Sequence, residues 1–356
     1  MRIGFSVAAA VLLSGCAVAT VSPAPSPTDT STSPSSSAPT CWISPLTGEC
    51  AHATRPVLVV KIDDVAGARP QRGLNSADVI IVEPVEGGLT RLMAVFHSDD
   101  PIEVGPVRSA RITDLDITSA FGKPGFAYSG ATTKLRPLLN SGPLQQVGAP
   151  QGQYGYFRVD TQSAPHNLIA NTSALLSRIA DPIAAQLVTS SSWAFADSPQ
   201  SGVTTQSMSI RWAAAEKSFV WDPLLAQWLI QVYDSPLESM RCCAATLERA
   251  TATTVFVMET ELQDNPIKFK RGAITPYPQT LGEGHGWVLT GGVRIEATWR
   301  RPVATDLPRW FRADGSEISV LPGRIWWLIH TDRDEIVFQD TAAPSASAST
   351  SASASS

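Results

Sequence analysis

Acidic, glycine and arginine residues are concentrated in residues 83–111, on both sides of a short apolar run. Two carboxylates, Glu83 and Glu86, are followed by a pair of glycines. Arginines come next at three positions, Arg91, Arg108 and Arg111. Guanidiniums and carboxylates form strong charge-assisted hydrogen bonds, and ordinary surface loops rarely gather them so tightly. The pattern predicts a polar site at the ends of strands.

Within this stretch, residues 105–111 are the strongest candidate for binding an anion. Pro106 favours the first position of a helix, which would leave the next two backbone amides free near the positive end of the helix dipole. Arg108 and Arg111 are three positions apart and would share one helix face. Together with the Ser109 hydroxyl, these groups predict a cradle for phosphate or carboxylate.

The same arginines have an internal alternative. They could pair with Glu83, Glu86 or Asp63 and hold the domain together, and the sequence leaves both interpretations open. The other candidates for ligand binding are Arg69, Arg91 and Asn167.

Three residues are candidates for catalysis: Glu86, Asp63 and His166. A carboxyl group with a raised pKa beside an ionised one suits general acid/base work, and Pro84 with the following glycines predicts a bend that brings Glu86 to a rim loop. A histidine beside an acid can act as a base. The sequence contains no GxSxG, P-loop, HExxH or dinucleotide-binding motif.

Asp63 and Asp64 end an apolar run and could hold a hard cation through oxygen ligands. Without a DxDxDG-type loop this signal is weak, so no metal site is predicted, and no cofactor is expected. The net charge of −5 argues against a broad phosphate-backbone surface. We therefore expect no nucleic-acid partner.

The N-terminus predicts export. A positive charge at Arg2 precedes a short apolar run, residues 5–13, which is too short to span a bilayer. The following Leu13-Ser14-Gly15-Cys16 resembles the lipobox of bacterial lipoproteins, which implies cleavage before Cys16 and lipidation of its thiol. Several acyl chains would anchor the protein durably outside the cytoplasmic membrane.

Export permits disulfides, and four cysteines remain after cleavage: Cys41, Cys50, Cys242 and Cys243. They allow three pairings. Cys41–Cys50 is the preferred pair, which closes a small loop. The adjacent Cys242 and Cys243 could form a vicinal bridge or reach the first pair.

Composition and patterning divide the chain into five segments. We expect a signal peptide (1–15), a lipidated Ser/Thr/Pro-rich tether (16–40), an N-terminal mixed α/β domain (41–200), a smaller β-rich domain (201–340) and a disordered tail (341–356). The predicted fold class is therefore α+β.

In the first domain, apolar runs predict strands at residues 57–62, 78–82, 92–96 and 126–128. Helices are expected at residues 106–121, 132–139 and 173–187, the last interrupted at Pro182. In the second, alternation predicts strands and two hairpins, whose turns are Gly291-Gly292 and Asp314-Gly315.

These motifs resemble, in their order along the chain, the YerB-like family of bacterial lipoproteins. The resemblance is carried by Asp63-Asp64, Ala68-Arg69-Pro70-Gln71, Val85-Glu86-Gly87-Gly88-Leu89-Thr90-Arg91, Gly105-Pro106-Val107-Arg108-Ser109-Ala110-Arg111, Pro165-His166-Asn167, Trp299 and Pro322-Gly323. The family often has Asp-Asn where this chain has Asp63-Asp64, which leaves open which acid matters. The resemblance implies a compartment and a two-domain layout, and no reaction.

From this we expect an extracytoplasmic protein that is anchored to the cell membrane by lipid. The first functional hypothesis is an anion-accepting cleft for a cell-wall-related or other anionic ligand. A second is a hydrolase or transferase acting on an envelope glycan or a phosphorylated substrate. A third is a non-catalytic scaffold for an envelope protein complex.

Overall fold

The computed structural model describes residues 41–51, 55–187, 192–198, 200–241, 246–267 and 275–341. The predicted signal peptide, the tether with Cys16, the Cys242-Cys243 pair and all but the first residue of the tail lie outside the described residues.

Strands are the main regular secondary structure of the described chain. The first eleven are β1 Trp42–Ile43, β2 Cys50–Ala51, β3 Leu58–Asp63, β4 Gln71–Arg72, β5 Val79–Pro84, β6 Thr90–Phe96, β7 Glu103–Val104, β8 Gly125–Ala127, β9 Gln145–Gln146, β10 Tyr156–Arg158 and β11 Leu168–Asn171. The later ones are β12 Val203–Trp212, β13 Ala215–Asp222, β14 Gln227–Val232, β15 Ser235–Pro236, β16 Glu238–Arg241, β17 Thr246–Arg249, β18 Thr251–Ala252, β19 Thr254–Glu259, β20 Gly282–Thr290, β21 Val293–Arg301, β22 Arg309–Phe311, β23 Ile325–His330 and β24 Glu335–Asp340.

Helices are few and short in the described ranges. The α-helices are α1 Thr113–Thr118, α2 Arg136–Ser141 and α3 Thr172–Leu176. Single 3₁₀ turns occur at Ala66–Ala68, Leu74–Ser76, Glu86–Gly88, Ser119–Phe121 and Ala149–Gln151. The protein is therefore mainly β, and the predicted α+β class with a mixed α/β N-terminal domain is wrong.

The helix expected at residues 106–121 shows why. The amide of Val107 donates to the carbonyl of Leu168 (2.6 Å) and that of Arg108 donates to the carbonyl of Lys61 (2.8 Å). Residues 105–111 thus bond to neighbouring extended segments, and α1 begins only at Thr113. Tertiary pairing has overridden the local helix signal, as it commonly does. The helix expected at 173–187 is likewise reduced to α3, which ends at Leu176.

The apolar runs were interpreted correctly. Predicted strands 57–62, 78–82 and 92–96 are confirmed as β3, β5 and β6, and residues 325–330 form β23. The hairpin of β20 and β21 turns at Gly291 and Gly292, whose φ angles of 57° and 80° suit glycine.

A large mixed sheet organises the molecule. Its strands follow the order β15-β14-β13-β12-β21-β20-β19-β23-β5-β6-β3-β8-β9. β23, from late in the chain, runs parallel to both β19 and β5, and β16 pairs with β4 in a separate sheet. Strands from both halves of the sequence therefore share sheets, and the predicted division at residue 200 stays a prediction.

Both faces of the central strands are buried, which explains their continuous apolar runs. Alternate residues of β3, such as Val60 and Ile62, pack into one core cluster, whereas Val59 packs into another on the opposite face. Polar side chains at the ends of these strands are therefore held by well-packed, rigid elements.

The expected Cys41–Cys50 disulfide is present, with the two Cα atoms 5.5 Å apart. It joins β1 to β2 near the start of the described chain. In the described part, no helix is long and apolar enough to cross a membrane.

Candidate functional site

Three neighbouring strands place a row of charged residues on one face of the sheet. Arg91, at the start of β6, lies directly opposite Asp63 at the end of β3 and opposite Glu83 near the end of β5. Directly opposed residues of antiparallel strands point to the same face. The sheet register alone therefore brings these three residues together.

Asp63 is the centre of the site. Its side chain is fully buried, and its Oδ2 lies 2.8 Å from Nε of Arg108 and 2.6 Å from Nδ1 of His166. Its Oδ1 lies 3.4 Å from Nη1 of Arg91. The structure thus brings three of the candidate residues to the carboxylate of a fourth, Asp63. Burial lowers the pKa of Arg91, and the nearby Asp63 opposes this effect.

A buried lysine pairs with one member of this row of charged residues. Lys61, two residues before Asp63 on the same strand face, contacts Glu83 and lies 2.6 Å from Oδ1 of Asp114 at the start of α1. Burial lowers the pKa of Lys61 to about 8, although Asp114 opposes the shift. Asp114 also accepts a hydrogen bond from the Arg111 amide at 2.7 Å, which fixes the approach to α1.

Asp64 belongs to a different cluster, because successive residues of a strand point to opposite faces. Its carboxylate lies 2.8 Å from Nζ of the buried Lys217 and accepts a hydrogen bond from the Thr90 hydroxyl at 2.5 Å. Arg69 donates to the Asp64 carbonyl at 2.8 Å. The two adjacent acids therefore carry separate sets of partners, and Asp63 is the one that meets the candidate histidine.

Glu86 lies on a rim turn, as its glycines suggested. Gly88 has a φ of 71°, and a Cβ there would come within 2.5 Å of the Ala213 side chain. Arg111 holds Oε2 of Glu86 through Nε (2.9 Å) and Nη2 (2.8 Å), and Thr275 donates to Oε1. Burial alone would raise the pKa of Glu86, but Arg111 and Thr275 together lower it. A lowered pKa argues against Glu86 as a general acid.

Four side chains of this rim line an open cavity of about 500 Å³: Glu86, Ser109, Arg111 and Arg136. Arg136, at the start of α2, is exposed and has no ion pair within the described ranges. The Ser109 hydroxyl also lacks a hydrogen-bond partner among those residues. The side chains of Arg136 and Ser109 are therefore unused hydrogen-bond donors that line this cavity.

Around Asp63 further donors are unused in the described part of the chain. Arg108 makes its ion-pair contact through Nε, Nη1 and Nη2 have no acceptor there, and the Arg108 side chain is 20% exposed. His166 uses only Nδ1, which leaves Nε2, and its side chain is 26% exposed. Arg69, 24% exposed, uses only Nη2.

Asn167 makes hydrogen bonds within the protein. Its side chain is largely buried, donates to the Val159 carbonyl at 3.0 Å and accepts from Nη1 of Arg158 at 2.6 Å. It closes the loop that carries His166 onto β11. Its expected role in ligand binding stays a prediction.

Basic side chains outnumber acidic ones when the Asp63 side and the adjacent Asp64 cluster are counted together, and the excess comes from Arg69 and Lys217 against Asp64. Six cations, Lys61, Arg69, Arg91, Arg108, Arg111 and Lys217, face five carboxylates, Asp63, Asp64, Glu83, Glu86 and Asp114. His166 would add a further positive charge if protonated. An uncompensated buried charge is costly, so the network favours an anion at its rim.

Sequence reasoning missed the two buried lysines and Asp114. A signal existed for both lysines: Lys61 interrupts an otherwise apolar strand, and Lys217 occupies an inward position next to Phe219 in the alternating strand β13. A lysine at a core position needs a buried carboxylate. No local sequence pattern identified Asp114, whose partner Lys61 lies 53 residues away.

Comparison with known proteins places the chain in a family. Residues 46–184 match the N-terminal domain, and residues 208–327 the C-terminal domain, of a family described as proteins of unknown function (DUF3048). A segment of 129 residues is 36% identical to "Putative lipoprotein YerB" of Bacillus subtilis (strain 168). The chain belongs to this YerB-like family.

The aligned segment is 35% of this chain and 38% of that relative, so the sequence match spans well under half of each. The crystal structure of the YerB protein from Bacillus subtilis has the same fold, with a TM-score of 0.69 at 21% identity. It covers 83% of this chain and 99% of the YerB chain. The expected YerB-like family is thereby confirmed.

Proposed function

We propose that this YerB-like protein is a membrane-anchored envelope lipoprotein that binds an anionic ligand at the arginine-rimmed site around Asp63. The observation that carries the proposal is the surplus of cationic side chains, six against five carboxylates, over the largely buried Asp63 side and the adjacent Asp64 cluster together. The ligand class is a phosphate or carboxylate, such as a cell-wall fragment or a phosphorylated glycan.

Anchoring is supported by the lipobox that ends at Cys16 and by a relative whose name is that of a lipoprotein. The tether after Cys16 would keep the folded part close to the outer surface of the cytoplasmic membrane. An envelope ligand would then be within reach of the site.

The unused hydrogen-bond donors of Arg108 support the proposed binding of an anion. Nε of Arg108 lies 2.8 Å from Oδ2 of Asp63, and its two terminal nitrogens have no acceptor among the described residues, which leaves them for a ligand. Planar guanidiniums bind phosphate and carboxylate through two parallel hydrogen bonds. A preorganised arginine loses less entropy when it binds.

Titration calorimetry of the full chain with inorganic phosphate tests the proposal. Arg108→Gln should weaken binding by about 1.5–3 kcal/mol, the range for hydrogen bonds to charged groups. The matched control is Arg294→Gln, because Arg294 has the same exposure of 20% and the same 2.8 Å contact to a carboxylate, Asp340. The control should bind phosphate as the wild type does.

A scaffold role has one observation in its favour, since Arg91 and Arg111 already have internal carboxylate partners. The same titration separates the two functions. Absence of saturable phosphate binding by the wild type, or equal affinity in the wild type and Arg108→Gln, would leave the network as internal ion pairs and support the scaffold.

A further inference from the structure

We propose that the site hydrolyses a phosphodiester, with His166 as the general base. The inference rests on the proposed anion binding and extends it from holding a ligand to a reaction. It is carried by the geometry of three side chains, Asp63, His166 and Arg108.

Asp63 orients the imidazole of His166. The carboxylate is fully buried, and its Oδ2 lies 2.6 Å from Nδ1 of the ring. In the tautomer whose Nδ1 donates to the Asp63 carboxylate, Nε2 keeps its lone pair. A buried aspartate that fixes the tautomer of a partly exposed histidine is the arrangement by which proteins present Nε2 as a base.

Arg108 places a phosphate next to that base. Its Nε contacts Oδ2 of Asp63, the oxygen that also receives His166. The guanidinium and the imidazole therefore lie within a few ångströms of each other. The proposed reaction requires that a phosphate held by the two terminal nitrogens of Arg108 lie beside Nε2, within reach of the base.

The charge of the network indicates the substrate class. With His166 counted as neutral, as a base must be, the cations exceed the carboxylates by one over the Asp63 side and the adjacent Asp64 cluster together. One excess positive charge matches a phosphodiester, which is a monoanion, better than a dianionic monoester. We therefore expect a diester link in an envelope polymer or lipid headgroup, since both share this chemistry.

The reaction needs water and no other reagent. His166 Nε2 takes a proton from a water molecule as the water oxygen forms its bond to phosphorus. The bond from phosphorus to the leaving oxygen breaks, and that oxygen takes a proton from solvent or from the imidazolium. The products are a phosphomonoester and an alcohol. Arg108 stabilises the charge that develops on the non-bridging oxygens.

The test measures nitrophenol release from bis(4-nitrophenyl) phosphate by the full chain, with EDTA present to suppress contaminating metal-dependent enzymes. His166→Asn should lower kcat at least 100-fold, the lower end of the effect of a general base. Asparagine can still donate to Asp63, so the fold and phosphate binding should be retained. The matched control is His285→Asn, whose ring nitrogens both face carboxylates, Glu259 and Glu296; it should keep full activity.

The possible results separate a hydrolase from a site that only binds an anion and from a site that binds none. Turnover by the wild type that is lost in His166→Asn, with phosphate binding kept, supports the inference. Phosphate binding without turnover, or equal turnover in His166→Asn, overturns the hydrolase and leaves the anion site standing. No phosphate binding by the wild type overturns the proposed function, and this inference with it. Comparing release from a diester-linked polymer with release from a lipid headgroup would then identify the source of the substrate.

Discussion

Asp63 and His166 are 103 positions apart in the chain, and Oδ2 of the aspartate lies 2.6 Å from Nδ1 of the histidine. The contact joins the end of a central strand to the loop before β11. Because one partner is fixed in the sheet, the position of the loop depends on it. The candidate site therefore exists only in the folded chain.

Replacing Arg108 by Gln should destabilise the fold by less than the loss of the only partner of a buried charge would. Asp63 would keep His166 and Arg91 as partners, so we expect the free energy of unfolding to fall by about 1–2 kcal/mol. A stranded buried carboxylate would cost about 3–5 kcal/mol. Urea unfolding at neutral pH measures the change in the free energy of unfolding. The same measurement with phosphate present gives the stabilisation by the ligand.

Phosphate should stabilise the wild type more than Arg108→Gln, because a ligand that binds only the folded state adds to its stability. Arg294→Gln serves again as the control and should respond to phosphate like the wild type. A loss above 3 kcal/mol in Arg108→Gln, with no phosphate effect on either protein, would identify Arg108 as a purely structural residue.

Replacing Arg111 by Gln should change how stability depends on pH. In the wild type the pKa of Glu86 lies below its usual value, so the ionised group stabilises the folded state above pH 4.5. That contribution is lost as the pH falls through the folded pKa. Without Arg111, burial would raise the pKa of Glu86, and ionisation would then destabilise the fold at neutral pH.

The difference in stability between wild type and Arg111→Gln should therefore be largest near pH 7, at about 1 kcal/mol, since solvent screens a quarter-exposed pair. It should shrink as the pH falls below about 4.5. Arg309→Gln is the control, because its partner Glu317 has the same 26% exposure as Glu86. A difference that is constant from pH 3 to 7 would show that Arg111 does not hold Glu86 ionised.

Lys61→Met should be strongly destabilising. It leaves Glu83 and Asp114 buried without their cation, which should lower the free energy of unfolding by about 3–5 kcal/mol. The exposed Lys123 offers a control, and Lys123→Met should change stability by less than about 0.5 kcal/mol. Guanidinium unfolding of both variants makes the comparison. A loss below 1 kcal/mol in Lys61→Met would mean that the two acids are not charged in the folded protein.

Cys16→Ala should block lipidation and leave either an uncleaved precursor or a secreted form. Membrane fractionation and the intact mass of the N-terminus measure this directly. If the variant stays in the membrane as the wild type does, and the wild type carries no lipid mass, the lipobox interpretation is wrong.

Local pattern was enough to predict the strands and the residues at their ends. Apolar runs located β3, β5 and β6, and sequence order placed Asp63 after one and Arg91 before another. The partners could not be read locally, because they depend on register and on which strands are neighbours. The arginines were expected to meet Glu83 or Glu86 as readily as Asp63, and only the sheet order shows that Arg108 meets Asp63.

The helix expected from Pro106 failed for the same reason. Proline fits the first position of a helix, but the carbonyls of Lys61 and Leu168 offer the amides after Pro106 extended partners from distant segments. Those contacts form only when the sheet is assembled. They also remove the free amides of the expected cradle, so side chains alone must bind the anion.

Anomalous diffraction from crystals soaked in sodium tungstate, a heavy mimic of phosphate, would locate an anion bound at the site. We expect an anomalous peak within hydrogen-bond distance of Nη1 and Nη2 of Arg108 in the wild type. The peak should be absent from Arg108→Gln crystals and present in Arg294→Gln crystals. No peak at Arg108 in the wild type, or an equal peak in Arg108→Gln, would contradict an anion site at Asp63.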